Sequence, residues 1–131
     1  MSSKILNAYK ESPDYVQTFI DQTIKAEGGY VNNKDDSGGE TNYGITYQTA
    51  MNFGYERNNY NWDGNITSMP LAFAQDVYAY EYYYRPKIYL VAEESSLLAK
   101  ELFDTGVNTG SRTPIRWIQR ILNVLNNKGE Y

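Results

Sequence analysis

Glu27, Asp36 and Thr41 lie within one 15-residue span that is otherwise crowded with Gly, Asn and Asp. Two carboxylates held on opposite sides of a cleft are the usual apparatus for breaking a glycosidic bond: one protonates the leaving oxygen, the other orients water or stabilises the cationic sugar. A threonine hydroxyl beside them can hold the attacking water. Glu27 follows Ile20 by seven residues, Thr23 by four and Ile24 by three, which puts it on or beside the inward face of a helix, at that helix's C-terminal end. Loss of solvent there, with no help for the anion from the helix dipole, would raise its pKa towards that of a general acid. Each residue also has a plain structural reading. Glu27 could be a salt-bridged helix end, Asp36 an Asx-turn residue and Thr41 an ordinary turn or strand threonine. By position alone, Asp35 and Asp36 are equivalent candidates.

Composition narrows the other possibilities. The 131 residues contain neither Cys nor His, which removes disulfides, thiol chemistry, Ser-His-Asp and Cys-His catalysis and most transition-metal sites. Acid–base work near neutral pH then falls to Asp, Glu, Lys or Tyr. The length and the 41% hydrophobic and 21% charged content fit one globular domain, residues 1–131. A net charge of -4 without a long basic run argues against nucleic acid as partner, and no 18-residue apolar stretch is available to cross a membrane. The opening Met1-Ser-Ser-Lys-Ile-Leu-Asn lacks the apolar stretch of a secretory leader, so synthesis in the cytoplasm is expected.

The 14 Tyr, 2 Trp and 4 Phe fill a small core or line a groove for a sugar polymer, and Tyr30, Tyr43 and Trp62 are the candidates for sugar subsites. Gly38, Gly39 and Gly44 allow tight turning or close approach of a long polymer to the main chain. The glycine-rich stretch lacks the Lys-Ser/Thr pair of a phosphate loop, and Asn32, Asp35, Asp36 and Glu40 do not follow EF-hand order, so neither a metal nor another cofactor is expected.

The elements that must position these residues are mostly helical. Ser12-Pro13, Asp14 and the stripe Val16, Phe19, Ile20, Ile24 predict a helix over about 13–27, closed by Gly28-Gly29. Residues 28–45 predict an irregular hairpin or large loop. Thr46 caps a helix over about 47–53 that Gly54 stops. Ser68 caps another with the inner stripe Leu71, Ala74, Val77 and Tyr78, ending near Arg85-Pro86. A fourth, over about 94–105, carries Leu97, Leu98, Leu102 and Phe103 and is interrupted by Gly106 and Gly110. A last helix is expected over about 114–126.

The run Glu27-Gly-Gly-Tyr-Val-Asn-Asn-Lys-Asp-Asp-Ser-Gly-Gly-Glu-Thr-Asn-Tyr-Gly-Ile-Thr46 resembles the signature of glycoside hydrolase family 108, N-acetylmuramidases found as phage endolysins and as proteins once called secretion activators. The family pattern is Glu-Gly-Gly, an aromatic, any residue, Asn, then Asp-x-Gly-Gly-x-Thr-x-x-Gly-Ile, and every position matches. The resemblance places the family's catalytic Glu on Glu27 and its Asp on Asp36 rather than Asp35. Phe103-Asp104-x-Gly106-Val107-Asn108-x-Gly110 resembles a second segment whose Asp and Asn help shape the cleft, and Trp117-Ile118-Gln119 resembles the helix after it. The similarity spans roughly residues 15–125. The order Glu, Asp, Thr also resembles the triad of phage lysozymes. The Glu-to-Asp spacing of nine is theirs, but the Asp-to-Thr spacing of five is one shorter.

The resemblance implies a mainly α (α+β) lysozyme-like domain with a small irregular β-hairpin region after its first helix, and hydrolysis of the bond between N-acetylmuramic acid and N-acetylglucosamine in peptidoglycan. Glu27, Asp36 and Thr41 would be catalytic, with Tyr30, Asn32, Gly39, Tyr43, Trp62, Asp104 and Asn108 in contact with substrate. Many members also carry a C-terminal peptidoglycan-binding domain, which is not expected in this sequence. The expected partner is bacterial peptidoglycan, acted on by a monomer at the cell wall. Made without a leader, a phage enzyme would need delivery by a holin or virion, and a bacterial one a dedicated secretion route or cell lysis. The alternative is a non-catalytic or assembly-dependent wall-binding module of a phage tail or secretion complex. A third reading is cleavage of another N-acetylhexosamine polymer such as chitin.

Overall fold

A computed structural model describes residues 3–33, 39–92 and 94–109. The chain divides into two compact units, Met1–Ala79 and Tyr80–Tyr131. In the first, a short helix α1 (Ala8–Glu11) leads into α2 (Asp14–Glu27). The Ser-Pro start signal works differently from expectation. Pro13, not Ser12, is the residue before the helix, and the Ser12 hydroxyl donates to the Tyr9 carbonyl at 2.6 Å, closing α1. Three antiparallel strands follow: β1 (Val31–Asn33), β2 (Gly39–Asn42) and β3 (Ile45–Thr46), in the order β1-β2-β3. Then come α3 (Tyr47–Asn52), 3-10 segments at Gly54–Tyr60 and Ile66–Ser68, and α4 (Leu71–Ala79). Thr46 caps α3 as expected, its hydroxyl accepting from the Thr49 amide. Ser68 does not cap α4. It ends a 3-10 turn, and its hydroxyl donates to Asp63.

The stripe Val16, Ile20 and Ile24 of α2 is buried against α4, whose Phe73, Ala74, Val77 and Tyr78 complete the core with Ile5, Ala50 and Ile66. Leu71, expected on that inner stripe, is 45% exposed because it opens the helix at its solvent side. Two buried carboxylates tie the N-terminal segment down. Asp76 accepts from the amides of Asn7 and Tyr9 and from the Tyr60 hydroxyl. Glu56 accepts from the Ser3 hydroxyl and the Lys4 amide.

The second unit starts with a π-helical turn, Tyr80–Tyr84, continues through α5 (Tyr89–Ala92) and ends its described part with α6 (Ser96–Thr109). Tyr83, Ile88, Val91, Ala99, Leu102 and Phe103 are buried, and the Tyr82 ring meets Phe103 edge-on. Leu97 and Leu98, expected inside, are 71% and 37% exposed. Gly106 does not interrupt α6. It is a buried residue inside it, since a cost of about 1 kcal/mol for glycine in a helix is outweighed by packing. The expected helix over 114–126 and the segment Trp117-Ile118-Gln119 lie outside the described residues, as does Gly110. The described architecture is mainly α with a small sheet after the first long helix, consistent with the lysozyme-like expectation.

Candidate active site

Glu27 is the last residue of α2, and Gly28, with φ of 80°, turns the chain out of the helix. The period-3.6 argument holds for the stem of Glu27 and fails for the residue as a whole. Its Cβ and Cγ lie hard against Gly44, yet Glu27 is exposed. The Tyr43–Gly44 loop covers the stem while the residue as a whole stays exposed, so the expected burial is not found.

That loop is a two-residue hairpin turn. Asn42 pairs with Ile45, leaving Tyr43 and Gly44 as the linking pair with φ of 54° and 78°. Both are left-handed, the geometry of a type I′ turn, whose twist matches the flanking strands. The conformation is free for Gly44 but disfavoured for Tyr43. The turn is held from outside: the Tyr78 hydroxyl of α4 donates to the Tyr43 carbonyl at 2.7 Å. Asn42 anchors the same strand end, its side-chain amide buried and donating to the Ile66 carbonyl at 2.9 Å. Thr41 stands two residues before Tyr43, half-buried in the middle strand and paired with Val31 on one side and Thr46 on the other. Asn32 is exposed on β1 opposite Glu40, and Gly39 opens β2 with φ of 62°. Tyr30 is 40% exposed and donates to Glu40 at 2.9 Å, a bond that holds its phenol above the ordinary value.

Tyr43 also lines an open groove of about 490 Å³ with Ile24, Lys25, Gly28, Leu71 and Gln75. Trp62 does not offer its ring to a ligand. It is 5% exposed, tilted against Phe73 at 4.7 Å, with its indole N–H donated to the Asn65 carbonyl. The candidate sugar contact is thus turned into the core beside Phe73. Asp104 and Asn108 sit one turn apart on α6 of the second unit, Asp104 half-buried and Asn108 exposed. Burial is the main influence on the Asp104 carboxyl and pushes it above the usual range, with Lys100 opposing. Asp36, with Asp35 and Gly38, lies outside the described residues.

Sequence reasoning missed the part played by Tyr78, read only as a core residue, and the specific partner of Gly44. A two-residue Tyr-Gly link between strand-like segments was the available signal for the turn. Among the described residues, no group of three or more acidic side chains is placed to hold a metal ion, and no helix is long and apolar enough to cross a membrane.

A comparison with curated proteins finds no match. The family model for glycosyl hydrolase 108 matches residues 20–110, well over half the chain and the whole stretch from the last turns of α2 through α6. With Glu27 at the helix end and Thr41 on the strand that leads into the Tyr43–Gly44 turn both inside that match, the chain belongs to glycosyl hydrolase family 108, a family of muramidase-like hydrolases.

Proposed function

We propose that the protein is an N-acetylmuramidase that hydrolyses the β-1,4 bond between N-acetylmuramic acid and N-acetylglucosamine in bacterial peptidoglycan, with Glu27 as general acid. The observation that carries this reading is the placement of Glu27: its stem is braced by Gly44 while its carboxyl end is exposed, where a polymer too large for a closed pocket can reach it. Glu27 gives its proton to the glycosidic oxygen, and the C–O bond to the leaving sugar breaks as the ring left behind gains oxocarbenium character. Water, oriented by Asp36 with help from the Thr41 hydroxyl, adds its oxygen to the anomeric carbon and releases a proton to Asp36. Direct attack by water inverts the anomeric centre and calls for carboxyl groups about 6.5–9.5 Å apart, against about 5 Å for a covalent route. The water route is favoured, because an Asp in a glycine-rich segment suits positioning better than nucleophilic attack.

Tyr30, Asn32, Gly39 and Tyr43 are the proposed sugar contacts of the first unit, and Asp104 and Asn108 those of the second. The proposed place of action is the bacterial cell wall. The test is solubilisation of purified peptidoglycan by wild type and Glu27→Gln, with mass spectrometry of the products. Fragments ending in reducing muramic acid, released by wild type alone, are the expected result. Full activity of Glu27→Gln would remove Glu27 from the mechanism, and no release by either folded protein would favour a wall-binding role.

A further inference from the structure

We propose that Tyr78 is a positioning residue for Glu27, acting through the Tyr43–Gly44 turn; the inference rests on the role of Glu27 proposed above. Tyr78 belongs to α4, is 1% exposed and reaches across 35 residues of sequence to donate its hydroxyl to the Tyr43 carbonyl. That bond falls on the one residue of the hairpin link whose left-handed backbone is disfavoured for its side chain, since Tyr43 has φ of 54°. A strained residue of this kind persists only where its surroundings over-determine it. Three groups meet at one point: a Cβ placed on Gly44 would lie 2.6 Å from the Tyr78 hydroxyl and 2.6 Å from Glu27 Cγ. The Tyr78 hydroxyl therefore sets how far the turn descends on the helix end, and the turn in turn restricts the Glu27 stem. The carboxyl of an exposed glutamate would otherwise sample several rotamers. Restricting it reduces the reorganisation needed to meet the glycosidic oxygen, an effect felt in kcat more than in substrate affinity.

The experiment compares initial rates of wild type, Tyr78→Phe, Gly44→Ala, Val16→Ala and Glu27→Gln on solubilised peptidoglycan, well below each melting temperature. Tyr78→Phe deletes only the hydroxyl, so kcat is expected to fall about 10- to 100-fold with KM within about twofold. Gly44→Ala, which disturbs the same contact from the other side, gives the same split. Val16→Ala weakens the α2 core far from the turn and keeps kcat, which separates positioning from loss of stability. Wild-type kcat in folded Tyr78→Phe, with Glu27→Gln inactive, overturns the inference and leaves the muramidase reading intact. An equal fall in kcat for Val16→Ala also overturns it, by making the effect one of stability. Activity in Glu27→Gln instead defeats the proposed role of Glu27, and the inference with it.

Discussion

Gly44 closes on the Cβ–Cγ stem of Glu27 so tightly that a side chain could be added there only by displacing its neighbours: a Cβ would come within 2.6 Å of Glu27 Cγ and 2.8 Å of its Cβ. A β-turn and a helix terminus, separated by the entire first two strands in sequence, thus share one packing contact. The atoms concerned belong to the stem of Glu27, not to its mobile end, so they cannot move aside without displacing the carboxyl.

Gly44→Ala is therefore expected to be costly twice. Alanine at φ of 78° is strained by more than about 1 kcal/mol, and the overlap with Glu27 and the anchored Tyr78 hydroxyl adds about 1–3 kcal/mol. Urea denaturation should show a loss of about 2–4 kcal/mol, accompanied by slower peptidoglycan solubilisation. Wild-type stability would mean that the turn rides higher on the helix end than described.

Trp62→Ala separates a core role from a sugar-binding one. Removing an indole that is 5% exposed and packed on Phe73 should lower stability by about 3–5 kcal/mol. KM of the protein that remains folded should stay at the wild-type value. A raised KM at undiminished stability would return Trp62 to the substrate.

Alkaline pH should act through Tyr60. Burial first, then donation to Asp76 at 2.6 Å, hold its phenol well above its ordinary value of 10.0. A folded-state value raised above the unfolded one gives stability that is complete below pH 10 and lost as pH climbs above it, because the unfolded chain releases the proton first. One fully coupled group would contribute about 1.4 kcal/mol per pH unit. Solvent screening of this partly buried ring narrows the pH interval over which that slope applies, not its steepness. Melting temperatures measured from pH 9 to 11 should fall more steeply for wild type than for Tyr60→Phe, although the variant starts lower at pH 7 for want of the hydrogen bond. Parallel slopes would disprove the coupling.

Local interactions were legible without the structure. The α2 stripe of Val16, Ile20 and Ile24 and the Thr46 cap depend on residues within a few positions of each other, and both are found close to where periodicity and capping place them. The family signature from Glu27 to Thr46 was legible for the same reason, being a continuous run, and the family match covers it. Local signals also misled where two neighbours compete. Ser12 closes α1 instead of opening α2, and Gly106 stays helical despite its low propensity.

The order Glu27, Asp36, Thr41 and the helix that carries Glu27 were thus set by the chain's linear pattern. Tertiary structure alone decided that Glu27 is braced at its stem yet open at its end, that Trp62 belongs to the core, and that Tyr78 holds the turn above the helix terminus. Burial and hydrogen-bond partners arise from segments tens of residues apart, and no periodicity within a segment encodes which distant backbone carbonyl a buried hydroxyl will meet.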